Sequence, residues 1–438
     1  MTTHADLLRR HRTVLPSWIT LYYDEPIALV DGSGRRVRDA EGRTYLDFFG
    51  GILTTMTGYN VPEVVEAIRE QAGRMLHTST LYLIEQQIDL AEQIARLSGI
   101  PDAKVFLGTS GTDATETALL LASAYRRSNQ VLAVRNSYHG RGFAAMGVTG
   151  NRGWSPTSLS PFQVHYVHGG YRYRSPFRHL SDEEYVRACA DDLRSVIETM
   201  TAGDVACLIA EPVQGVGGFA TPPDGYFAAL KEVCDEYGIL LVSDEVQTGW
   251  GRTGDHFWGI GAHGVTPDLM TFAKGLGNGM SIGGVVGRAE IVDALPANSI
   301  STFGGNPLSC AGALANLRYL LDNDLPANAR ERGRQLMSRL REGTAGMPLV
   351  GEIRGKGLMV GVELVEPGTG DPGRPSPRAA ATVMEETKAQ GLLVGKGGLY
   401  GNVLRIAPPL SVTEDEIDEG AEILVKSIQA AAAGQVTA

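Results

Sequence analysis

The chain has 438 residues, 43% of them apolar and 20% charged, which fits a folded protein with one large core and a smaller companion domain. Its formal net charge of −11 excludes the basic surface that nucleic acid or an anionic membrane requires. No apolar run approaches membrane-spanning length, the N-terminal segment lacks the apolar core of a secretory signal, and Cys189, Cys207, Cys234 and Cys310 have neither metal-site nor disulfide-framework spacing, so a cytoplasmic setting is expected.

Taken in chain order, the run IALVDGSGRRVRDAEGRTYLDFF predicts a small antiparallel sheet, with turns at Asp31–Gly32 and Glu41–Gly42. From about residue 64 to about 312, short apolar runs alternate with helical patterns. The runs are Val105–Leu107, Val131–Val134, Cys207–Ala210, Leu240–Ser243 and Leu269–Ala273; the helical patterns include Glu116–Arg126 and Tyr226–Tyr237. This alternation predicts an α/β fold with a mostly parallel sheet covered on both faces. In such sheets ligands bind beyond the carboxyl ends of the strands. From about 313 a long helix is expected, then GLMVGVELV as a strand, a loop over Glu366–Arg378, a helix, the segments LLVGKGG and NVLRIAPPL, and a closing helix from Glu414. Residues 1–60 and 313–438 are therefore expected to form one small α+β domain beside a large domain at 61–312.

Several motifs lead nowhere. Ser281 lies in a G-x-S-x-G pattern, but a hydrolase of that type needs a histidine after the serine, and the last histidine is His263. The cluster GLGNGM lacks the full dinucleotide glycine spacing, and no nucleoside-triphosphate loop is present. His165 and His168 have no companion ligand cluster, so no metal is expected.

The chemistry concentrates at strand ends. Lys274 closes the apolar run LMTFA; alone it reads as a solvated lysine, and it gains meaning only with partners that lower its pKa. Asp244 ends ILLVS and is either a surface charge or a ligand at the mouth of the sheet. Strand alternation puts Asp244 and Val246 on one side and Glu245 on the other, with Gln247 beyond. The segment from Gly108 through Ser110, Gly111 and Thr112 opens a strong helix with small residues and hydroxyls, which suits a phosphate; an ordinary N-cap, with Asp113 and Glu116 as a capping pair, is the alternative. Tyr138, after VLAVR, could stack on a ring, and Arg141 could grip a carboxylate.

Together SGTDATETA, SYHGRG, AEPVQG, SDEVQTGWGRTG, AKGLGNG, TFGGNP and LRIAPPL, in this order, resemble the class III aminotransferase family, from about Ile19 to Ile428. HTSTLY, GGNPLSC and RGKGLMVGVELV bring the chain nearest to its mitochondrial-type alanine–glyoxylate, β-aminoisobutyrate and 4-aminobutyrate branch. The resemblance implies the type I pyridoxal-phosphate fold with a seven-stranded sheet. It implies Lys274 as the lysine forming the imine with pyridoxal 5'-phosphate, Asp244 as the pyridinium partner, and Tyr138 and Val246 as the residues sandwiching the ring. Ser110, Gly111, Thr112, His139 and Gln247 complete the cofactor set, with Thr302 contributed by a second subunit. Arg405 is the expected receptor for an α-carboxylate and Glu211 the acid that pairs with it when an ω-amino acid binds. Arg141 is expected at a distal carboxylate and Ile52 at the pocket wall. The family's usual S-G-S-E is S-G-T-D here, which keeps a hydroxyl and a charge. The expected reaction moves an amino group from an α- or ω-amino acid to pyruvate, glyoxylate or 2-oxoglutarate, in a homodimer or a dimer of dimers. A lyase or decarboxylase on the same fold is the alternative.

Overall fold

The computed structural model describes residues 3–436. Strands β1 (Leu29–Ser33), β2 (Arg36–Asp39) and β3 (Thr44–Asp47) form an antiparallel meander. Its first turn falls at Gly34–Arg35, not at the expected Asp31–Gly32. Gly34 takes the left-handed conformation (φ +58°), whereas Gly32 stays in β1, where a Cβ would come within 3.0 Å of the Tyr59 ring.

The middle of the chain supplies β4 (Ala103–Gly108), β5 (Gln130–Val134), β6 (Gln163–Val167), β7 (Cys207–Ala210), β8 (Leu240–Asp244), β9 (Leu269–Phe272) and β10 (Gly283–Arg288). They form one sheet in the order β4-β10-β9-β8-β7-β5-β6. All are parallel except β10, which runs antiparallel to both neighbours. The central strands are wholly buried, which is why they read as unbroken apolar runs. Alternate residues feed two cores. Val131, Ala133, Ile209 and Val242 pack with Ala118 and Ala122 of the helix Gly111–Arg126. Leu132, Leu208 and Leu241 face the other way, in the core that also holds Leu193 and Leu230.

Near the C-terminus come β11 (Val350–Lys356), β12 (Met359–Leu364), β13 (Leu392–Leu393), β14 (Gly395–Gly397) and β15 (Val403–Ile406). The order β11-β12-β15-β14 makes an antiparallel sheet, while β13 pairs in parallel with β3 and ties the two ends of the chain together. The long helix expected from about 313 is two helices, Pro307–Asp322 and Leu325–Gly343. They break where Asp324 turns left-handed (φ +44°) ahead of Pro326.

Candidate active site

The carboxyl ends of β4, β5, β7, β8 and β9 open on one cavity of about 130 Å³. The turn after β4 lends it Ser110, Gly111 and Thr112, and the loop after β5 lends Tyr138, His139 and Gly140. Glu211 enters after β7; Asp244, Val246 and Gln247 enter at the end of β8; Lys274 follows β9. Asp244 stands opposite Thr271 in the β8–β9 ladder, so the chain brings Lys274 to the same mouth within one short turn. Lys274 itself is left-handed (φ +42°), an unusual conformation for a lysine and one that concentrates at functional sites.

Asp244 is held on both oxygens. Oδ2 lies 2.6 Å from Nδ1 of His139, and Oδ1 accepts from Thr271 Oγ1 and the Val246 N–H, each at 3.1 Å. An ionised carboxylate only accepts, so the bond requires a proton on Nδ1. Burial works against charge on His139, but the hydrogen bond and charge of Asp244, with the charge of Glu211, hold its pKa above the ordinary value. Nε2 of His139 is buried with no partner. Glu245 points away from the cavity, as alternation predicts, and accepts from Gly259 and Ile260 N–H at 2.8 Å each.

Burial lowers the Lys274 amine to about 8, against the opposing pull of Asp244. Burial likewise pushes the Glu211 carboxyl up to about 7, opposed by the charge of His139. Glu211 does not pair with Arg405 in this structure: it accepts from the N–H groups of Tyr138 (2.9 Å) and Gly215 (2.8 Å). Arg405 instead donates from Nη2 to Gln247 Oε1 at 2.8 Å, and its Nε is buried without a partner. Tyr138 packs edge-on against Trp154, with ring centroids 5.3 Å apart, a contact that no sequence signal announced.

Four expected site residues do not line the cavity: Arg405, which reaches it only through its bond to Gln247, and three others. Ile52 sits in a left-handed turn (φ +65°) and is 49% exposed. Arg141 is exposed and reaches the site only through its N–H, which donates to Thr112 Oγ1. Thr302 is exposed on its loop. The capping pair is also different from the one expected. Ser110 Oγ accepts from Asp113 N–H, Asp113 turns back to accept from Thr109 N–H, and Glu116 takes the Ala145 N–H. Asp113 therefore faces away from the cavity, which a bound anion requires.

The donor set suits a small heteroaromatic group with an anionic tail. The first N–H groups of the helix Gly111–Arg126 have no helical acceptor. A Cβ on Gly111 would come within 3.0 Å of Val246, and one on Gly140 within 2.8 Å of Thr112, so both glycines keep the cradle open.

The chain matches the model of the family described as aminotransferase class-III over residues 22–428. It is 40% identical over 417 residues to the alanine–glyoxylate aminotransferase 2 homolog 2, mitochondrial, of Arabidopsis thaliana, covering 94% of this chain and 84% of that one. It is 34% identical over 449 residues to the alanine/serine racemase of Pyrococcus horikoshii, covering 98% and 91%. The crystal structure of a thermostable (S)-enantioselective omega-transaminase from Thermomicrobium roseum superimposes with a TM-score of 0.90 at 33% identity, over 98% of each chain.

Proposed function

The chain belongs to the class III aminotransferase family and is a pyridoxal-phosphate-dependent aminotransferase of the type I fold, and from that premise we propose that the cavity at the strand ends is its active site. The observation that supports this most is that Asp244 and Lys274 line the same cavity, one carboxylate and one pKa-lowered amine. Bound pyridoxal phosphate supplies an electron sink for the carbon that loses its proton. In this reading Lys274 holds the aldehyde carbon and Asp244 the pyridine nitrogen. His139 and Thr271 keep Asp244 oriented, Tyr138 and Val246 face the ring, and Gln247 reaches its phenolic oxygen. Ser110, Gly111 and Thr112 hold the phosphate. Once the substrate's amino group had replaced Lys274 at the aldehyde carbon, the freed Nζ would take the proton from the carbon that bears that amino group, work for which a lowered amine pKa is suited.

Arg405 receives the α-carboxylate, Arg141 the distal carboxylate of an ω-amino donor, and Ile52 borders the approach. Glu211 would leave its two backbone partners to pair with Arg405 when an ω-amino acid binds. The same reading includes a small domain from residues 1–60 and 313–438, a large domain from 61–312, and a cytoplasmic setting, which four free buried cysteines support. It also includes a homodimer or dimer of dimers in which Thr302 serves the partner's site. Exposed Leu81 (72%) and Leu83 (94%), and Phe303 (62%) next to Thr302 in the chain, support such a contact.

The test is a screen of amino acids and 2-oxo acids, following cofactor absorbance and products. Transfer predicts one 2-oxo acid consumed per amino group moved. Release of carbon dioxide or phosphate, or exchange of the α-proton with no oxo acid consumed, would replace this reading with a decarboxylase, lyase or racemase.

A further inference from the structure

Arg405 is a buried cation, 3% exposed, with no carboxylate within ion-pairing distance among the described residues. Besides the hydrogen bond to Gln247, what holds it is aromatic. Its Cζ lies 5.2 Å from the centroid of the Phe49 ring and 4.8 Å from that of Phe219. Tyr22 stacks on Phe49, with centroids 6.0 Å apart and planes 19° from parallel.

Both rings are delivered by strained backbone that buried charges hold in place. Phe219 is itself left-handed (φ +53°) and follows Gly218 (φ +92°), whose carbonyl accepts from Arg354 Nε at 3.0 Å. Arg354 is fixed in turn by Glu363 at 2.7 Å. Phe49 precedes four consecutive left-handed residues, Gly50, Gly51, Ile52 and Leu53. That turn hangs on buried Asp47, whose Oδ1 accepts from Phe49 N–H (2.8 Å) and Gly50 N–H (3.1 Å). Left-handed non-glycine residues are strained and persist where the surroundings over-determine them. Two such turns, from distant parts of the chain, converge on one guanidinium.

We infer that Phe49 and Phe219 are specificity-determining residues, which hold Arg405 by face contact in place of an acidic partner and so set the enzyme's preference for substrates bearing a carboxylate. A ring takes the π-face of a guanidinium and leaves the in-plane N–H donors that Gln247 does not use open to a substrate, whereas a resident carboxylate would occupy them and have to be displaced. The unpartnered Nε fits this division. The inference rests on Arg405 as the carboxylate receptor.

The experiment compares Phe49→Leu, Phe219→Leu, Phe49→Tyr and Arg405→Gln in the holoenzyme. The readouts are the KM-against-kcat split for the α-amino acid that reacts best, and calorimetric binding of propionate against propionamide. Each leucine variant is expected to raise KM about tenfold, with a far smaller change in kcat, and to weaken propionate but not propionamide by the same factor. Phe49→Tyr, which keeps an aromatic face over the guanidinium, restores both values and keeps the test valid if Phe219→Leu does not fold. If Arg405→Gln erases the propionate preference while both Phe49 variants keep it, the aromatic clamp is wrong and the role of Arg405 stands. If Arg405→Gln leaves the preference intact, the role of Arg405 fails and the clamp with it.

Discussion

Replacing Lys274 by methionine is expected to stabilise the cofactor-free protein. Burial lowers the Lys274 amine from 10.5 to about 8. Between those values the unfolded chain binds more protons than the folded one, so stability rises with pH through this window, and wild type carries the full penalty below about 8. At about 1.4 kcal/mol per pKa unit the penalty is roughly 3.5 kcal/mol. The side chain opens onto the cavity, and access of water reduces this to about 1–2 kcal/mol. Methionine keeps an unbranched chain and removes the charge. Urea unfolding of both apoproteins at pH 7, 8, 9 and 10, followed through buried Trp250 and Trp258, measures the difference. Lys274→Met should be the more stable at pH 7, with the gap closing as pH rises towards 10.5. A gap of opposite sign, or one independent of pH, would refute the reasoning.

Asp244→Asn should retain the cofactor yet slow the amino-acid half-reaction by about a thousandfold, read by stopped-flow absorbance, because it removes the charge aimed at the ring nitrogen. Gly111→Ala should weaken cofactor binding about tenfold in equilibrium titration, since its Cβ would press on Val246 at 3.0 Å and shift the phosphate end. Arg354→Met should destabilise the fold by about 3–5 kcal/mol by breaking its pair with fully buried Glu363, whereas Arg339→Met, at an exposed pair with Asp418, should leave the unfolding midpoint nearly unchanged. Chemical denaturation of the two variants side by side checks the contrast.

What the sequence discloses follows from how local each feature is. Strands β5, β7, β8 and β9 are legible because a strand buried on both faces leaves an uninterrupted apolar run. Strand β6, at the sheet edge, carries Gln163 and His165 and so hides. Strand β10 hides for a different reason: Gly283, Gly284 and Gly287 look like loop, yet each lies where a Cβ would strike a neighbouring strand or turn. At the site, the residues at strand ends can be picked out by type and position. Their partners cannot, because the contacts span great lengths of chain. His139 meets Asp244 across 105 residues, and Gln247 meets Arg405 across 158. The same limit explains Glu211. The family resemblance implies a pair with Arg405 when an ω-amino acid is bound, but not the two backbone N–H groups, from Tyr138 and Gly215, on which its carboxylate rests here.

The most direct test is to reduce the pyridoxal-phosphate-loaded protein with borohydride, digest it, and locate the pyridoxyl mass by tandem spectrometry. The active-site assignment predicts the adduct on the peptide that contains Lys274. An adduct at another lysine, such as Lys396 on β14, would contradict it.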